Sequence, residues 1–162
     1  MSRSLRTLSL FIVLIVLVVV ITLLVTRRVS FGSGGILVPA VPLVEPVIQD
    51  VSAELGWQNS GILLESDETI NIQFISGEIQ DGEAVIRGPS GVGWTCDDPS
   101  CCEPMPAEQR DALIGRVGDH LFLIGDSHTI EVQEGGELQL RINDCDAGLF
   151  DNSGELTIKI SP

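Results

Sequence analysis

The sequence predicts an all-β antiparallel sandwich behind one N-terminal membrane helix, and three observations carry this. Beyond residue 46, apolar and polar residues alternate with a period of two in several short runs. Gly, Asp and Ser turn residues separate those runs at short spacing, and no run after residue 26 has a helical period. The one long uninterrupted apolar stretch lies at the start of the chain.

That stretch, Thr7 to Thr26, is twenty residues without a charge. At a helical rise of ~1.5 Å per residue it spans a ~30 Å hydrocarbon core. A cleavable signal peptide would have a shorter apolar region ending at a small-residue site, whereas this one runs into Arg27 and Arg28, so we read residues 7–26 as an uncleaved anchor. Arg3 and Arg6 on one flank against Arg27 and Arg28 on the other tilt the positive-inside balance only slightly toward a cytoplasmic 1–6. The cysteines add to this, because Cys96, Cys101, Cys102 and Cys145 all follow the anchor, as expected of disulfides in an oxidising compartment. The expected location is the cell membrane, single-pass, with the C-terminal domain on the extracytoplasmic side.

Residues 27–46 form a Gly/Pro-rich tether, flexible around Gly32, Gly34 and Gly35 and stiffer around Pro39, Pro42 and Pro46. Its apolar content is high for a solvated linker, which suits packing against the folded domain or a partner. Residues 47–162 are long enough for one domain with its own core. Alternation is clearest in TINIQFI, ELQLRIN and ELTIKI, with further strands expected in GILLE, EAVIR, ALIGRV, HLFLIG and HTIEVQ. Five basic and all 23 acidic residues follow Arg28, a balance of −18. Phosphate recognition needs clustered cations, so nucleic acid is excluded as a partner, and an anionic membrane surface would repel this domain. Cations or a basic protein face are the complements it fits.

The last twenty residues place Asp144, Asp146, Asp151 and Asn152 around Gly148, ahead of a cleanly alternating strand. Such residues make hairpin turns, and they also supply the oxygens a hard cation takes at flexible geometry. The other polar candidates are weaker. His120 and His128 flank a strand-turn-strand stretch, and GRVGD lacks the lysine and the strand-loop-helix setting of a phosphate loop. No Ser, His and Asp set or isolated carboxylate pair stands out, so no catalysis is expected. Four cysteines permit three pairings; a bond between the adjacent Cys101 and Cys102 would be strained, which leaves two. A zinc site would need paired C-x2-C knuckles, and these are missing.

The segments VSAELGWQNSGILLESDETINIQFISGEI, RGPSG, ALIGRVGD and RINDCDAGLFDNSGELTIKI occur in an order that resembles the LecA-like (PA-I type) lectins, calcium-dependent galactose binders with a jelly-roll, galactose-binding-like β-sandwich. The likeness runs through nearly all of residues 47–162. It implies a Ca2+ held by Asp144, by the Gly148 carbonyl four residues on, by the adjacent side chains of Asp151 and Asn152, and by the carbonyl of Asp81 from an earlier loop. It also implies a Cys96–Cys101 loop disulfide, which leaves Cys102 with Cys145. In the family the sugar contacts the ion, the loop residues around it, here with Cys145 beside Asp144, and a His-Pro-x-Gln segment. This chain has no histidine in that segment, but it carries Trp94, whose ring is a stacking platform for a sugar face.

The function expected is a membrane-anchored, calcium-binding, lectin-like recognition module with a glycan as partner and without catalysis. The alternative is a single-pass accessory subunit that docks on a larger membrane protein complex and uses calcium as a structural staple.

Overall fold

The computed structural model describes residues 39–82 and 85–162. The expected anchor at 7–26 and most of the tether lie outside them. Among the described residues no helix is long and apolar enough to cross a membrane.

Ten strands form two five-stranded sheets: β1 (Val41–Pro42), β2 (Val47–Ser52), β3 (Gln58–Leu64), β4 (Thr69–Asp81), β5 (Val85–Arg87), β6 (Leu113–Val117), β7 (His120–Leu123), β8 (Ser127–Glu131), β9 (Gly136–Ile142) and β10 (Asn152–Ser161). One sheet runs β1-β3-β9-β6-β7. The other runs β2-β10-β4-β5, with β8 on β4. All pairings are antiparallel except β1 with β3. The β-sandwich expected from the alternation is present, and each run singled out in the sequence contributes a strand.

Period two explains the core. Ile70 and Ile72 of β4, Leu138, Leu140 and Ile142 of β9, and Leu156, Ile158 and Ile160 of β10 are all buried and face one another between the sheets. Fully burying such a side chain contributes ~1.5 to 3 kcal/mol relative to leaving it exposed. Gly115 of β6 leaves room for the Phe122 ring beside it, where a side chain would collide. The sandwich also reaches further toward the N-terminus than residue 47. Val41 and Pro42 pair with Ile62 and Leu63, and Leu43 is buried in the core. The end of the tether is therefore an edge of the sandwich, which accounts for Leu43 but leaves Val41 and Val44 exposed.

Candidate functional site

β9 and β10 leave the core at one end of the sandwich, and the chain between them forms a loop from Asn143 to Gly148 and a 3-10 turn at Leu149–Asp151. Two buried polar residues shape the loop. Asn143 accepts from the Met105 amide and donates to the carbonyls of Met105 and Gln109, at 2.9 to 3.0 Å. Arg141 donates from Nε to the Ile142 carbonyl, from Nη1 to Asp146 Oδ1 at 2.7 Å, and from Nη2 to the Asp144 carbonyl at 2.6 Å. Its guanidinium also lies 5.5 Å from the Trp57 ring, whose centre has Arg116 at 4.4 Å. A buried cation with every donor group engaged holds the loop in one shape, and removing its partners would leave an uncompensated charge. Asp146, one of the acids in the motif, is thus spent on the loop's own structure.

Of the residues expected to hold an ion, Asp144 and Asn152 meet directly. Asp144 is fully buried; its Oδ1 accepts from the Cys145 amide at 2.7 Å and its Oδ2 from Asn152 Nδ2 at 3.1 Å. Gly148 closes over them: a Cβ there would stand 2.9 Å from Asp144 Oδ2, so a side chain would fill the space beside the carboxylate. Asp151 is exposed and reaches back to the end of β4, where the Gly82 amide donates to its carbonyl at 3.1 Å and a Cβ on Gly82 would come within 2.6 Å of its Oδ2. Asp81 pairs with Asn152 across β4 and β10, so the earlier loop does arrive beside the last one.

The structure adds residues that the sequence reading missed. Asp111 is fully buried with a left-handed backbone, φ 61°, a conformation that Asp tolerates better than most side chains. Its amide donates to the Asn143 carbonyl, which sets it beside the Asn143–Gly148 loop. Arg110 Nε lies 3.4 Å from Asp144 Oδ1 and 3.9 Å from Asp111 Oδ1. Burial, the facing Asp81 carboxyl and the Asp144 charge push the Asp111 pKa up to about 7, against the pull of Arg110. Burial opposes the charge on Arg110, but attraction from Asp144, Asp111, Asp81 and Glu103 outweighs it and raises its pKa. A bare Arg-Asp dipeptide between turns carries no motif, so nothing local marked these two.

Several buried oxygens at this end receive no hydrogen bond from another donor: Asp81 Oδ1 and the Asp111 carboxyl, which face one another and are satisfied only while Asp111 keeps its proton, and Asn152 Oδ1. Leaving a buried acceptor unpaired costs roughly 1 to 3 kcal/mol, and native chains avoid it. Four carboxyl groups act on Arg110, and Asp81 has Arg87 at 3.7 Å besides, so the cluster is one positive charge short of neutrality while Asp111 is protonated and two short once it ionises. Unpartnered oxygens, this charge deficit and glycines that keep the space open fit a hard divalent cation. The carboxylates of Asp81, Asp111 and Asp144 do not converge on a single point. Among the described residues, the acid and cysteine triads whose ligand atoms gather within 4.8 Å are Cys96, Cys101 and Glu103, and Cys102, Glu103 and Cys145. The sulfurs of both are bonded to each other, as Cys96–Cys101 and Cys102–Cys145, and no free thiol is left to bind zinc.

The disulfides are the pair that the lectin resemblance implied. Cys102–Cys145 ties the segment containing Trp94 and Arg110 to the residue next to Asp144. Cys145 therefore offers a ligand no thiol, and its amide is already engaged. Trp94 is 51 % exposed, and its carbonyl accepts at 2.8 Å from the amide of Arg110, the neighbour of the Asp111 that is hydrogen-bonded to Asn143. The structure adds Phe150, between Leu149 and Asp151, which at 85 % is the most exposed of the large apolar side chains among the described residues.

Among solved structures, the chain is similar to the N-terminal domain of EclA, described as a PllA-like lectin. The likeness has a TM-score of 0.56 and 22 % identity, over 74 % of this chain and 96 % of that one. It shows a shared lectin-like fold. No family model matches the sequence. No curated protein matches it either.

Proposed function

We propose that this chain is a calcium-supported, lectin-like recognition domain, held on the extracytoplasmic side of the membrane by its N-terminal apolar helix and acting by binding alone. The observation that carries this is the cluster at the end of the sandwich. There Asp144, Gly148 and Asn152 meet beside orphaned buried oxygens, within a fold shared with a PllA-like lectin. Asp144 and the side chain of Asn152 would hold the ion, with Asp151 and the carbonyls of Gly148 and Asp81 completing a mixed oxygen set of the kind calcium accepts. When bound, calcium supplies a positive centre to which sugar hydroxyls can add. The chain's own part is to keep the loop rigid through Arg141 and Asn143 and to offer exposed aromatic rings, Phe150 and Trp94, to the apolar face of a sugar.

Galactose affinity should be weak, since the His-Pro-x-Gln segment is absent and each hydroxyl buried without a partner costs roughly 1 to 3 kcal/mol. Calorimetric titration of the calcium-loaded protein with galactose tests this. Micromolar binding abolished by Asp151→Ala would show that the galactose site is intact after all.

The accessory-subunit reading is favoured by a different observation: Val41, Val44 and Ile48, near the first of the described residues, are all exposed. Gentle extraction from the native membrane separates the two. A chain that comes out alone supports a lectin, and a stoichiometric complex supports a docked subunit.

A further inference from the structure

We infer that Arg110 is a tethered competitor of the metal ion, a guanidinium delivered to the metal site's own carboxylate that raises the calcium concentration at which the site fills. The inference rests on the calcium reading above and concerns a residue that no part of the lectin resemblance supplies. Arg110 Nε stands 3.4 Å from Asp144 Oδ1, yet this nitrogen is buried without any hydrogen-bond partner. The contact is thus an attraction of charges without the alignment that would lock it. The Arg110 side chain as a whole is 39 % exposed although its Nε is buried, so it has an open side toward which it can swing.

The backbone of Arg110, by contrast, is held. Its amide donates to the Trp94 carbonyl and its carbonyl accepts from the Val92 amide, at 2.8 and 3.0 Å. The Cys102–Cys145 bond ties the same segment to the neighbour of Asp144. A fixed backbone carrying a loosely engaged cation keeps a positive charge at high local concentration beside the carboxylate. An ion bound to Asp144 would share that carboxylate with Arg110, and two cations a few ångströms apart in a partly buried site repel. The ion must therefore displace the guanidinium or bind against it, and by reciprocity the guanidinium weakens the ion.

The test is the calcium affinity of the full-length protein by calorimetry, with and without the charge. Arg110→Gln should bind calcium about tenfold or more tightly, while Arg110→Lys, which keeps a cation there, should stay within roughly threefold of the parent. A folded Arg110→Gln protein whose affinity is unchanged or weaker overturns the inference and makes Arg110 a residue that positions the carboxylates. A second measurement needs no variant: in the parent protein, the Arg110 Nε–H should exchange faster with solvent once calcium saturates the site, and an unaltered rate counts against displacement. Absence of any calcium binding in both proteins removes the calcium reading along with this one, whereas calcium binding indifferent to Arg110→Gln removes this inference alone.

Discussion

Leu140 and Ile142 of β9 are fully buried, and so is Asp144, two residues further along the same chain, yet burial serves opposite ends in the two places. In the strand it removes apolar surface from water and stabilises the sandwich. In the loop it strips water from a carboxylate whose neighbours include Asp111 and the loosely engaged guanidinium of Arg110. The core of this domain is apolar throughout, while its loop end gathers buried carboxyl groups and excess negative charge. The difference teaches where to look for function: a folded chain keeps such an unbalanced end only if a partner completes it.

The sharpest contrast comes from the core. Ile158→Ala in β10 should cost ~2 to 5 kcal/mol with calcium or with chelator alike, because it is fully buried in the apolar core. A loss that depended on calcium would blur the division between body and end. Replacing Cys102 and Cys145 together by alanine should cost ~2 to 4 kcal/mol in denaturant unfolding, and it should also weaken calcium binding, since the bond ties two loops of the site together.

Calcium should act on the loop end alone. A hundredfold excess over Kd stabilises a folded state that alone binds the ion by ~2.7 kcal/mol, read as a higher melting temperature than in chelator. Asp144→Asn should abolish that gain, and equal melting with and without calcium in the parent protein would leave the unbalanced cluster without its partner.

The smallest effect concerns pH. Asp111 keeps its proton up to about pH 7 in the folded chain but loses it near 3.8 when unfolded. Between these values the folded state binds more protons, so this group adds stability as pH falls and withdraws it as pH rises through 7. Metal-free protein should therefore gain stability from Asp111 between pH 8 and 5, seen as a melting-temperature trend that flattens in Asp111→Asn. A variant with the same slope as the parent would mean that the cluster is less tightly coupled than the burial of Asp111 implies.

The strands were legible because their cause is local. Alternation at period two in residues such as Ile70, Ile72 and Phe74 reports one face turned to a core, whatever the core is made of. That Asp144 and Asn152 meet was legible for the same reason, since the two ends of one short connection between strands share a neighbourhood through the covalent chain. The tertiary structure alone decided the rest. Val41 and Pro42, which read as linker, become an edge strand because β3 offers them a free backbone edge. Of the two cysteine pairings that the residues themselves left open, folding selects Cys96 with Cys101 and Cys102 with Cys145 by bringing Cys145 to the far segment. Arg110 and Asp111 reach Asp144 across more than thirty intervening residues, through β6 pairing with β9 in a register that sets Leu113 opposite Ile142. A one-dimensional pattern records which face of a strand is apolar, but a meeting of charges between distant loops depends on sheet order and register, and those are settled only when the strands pair.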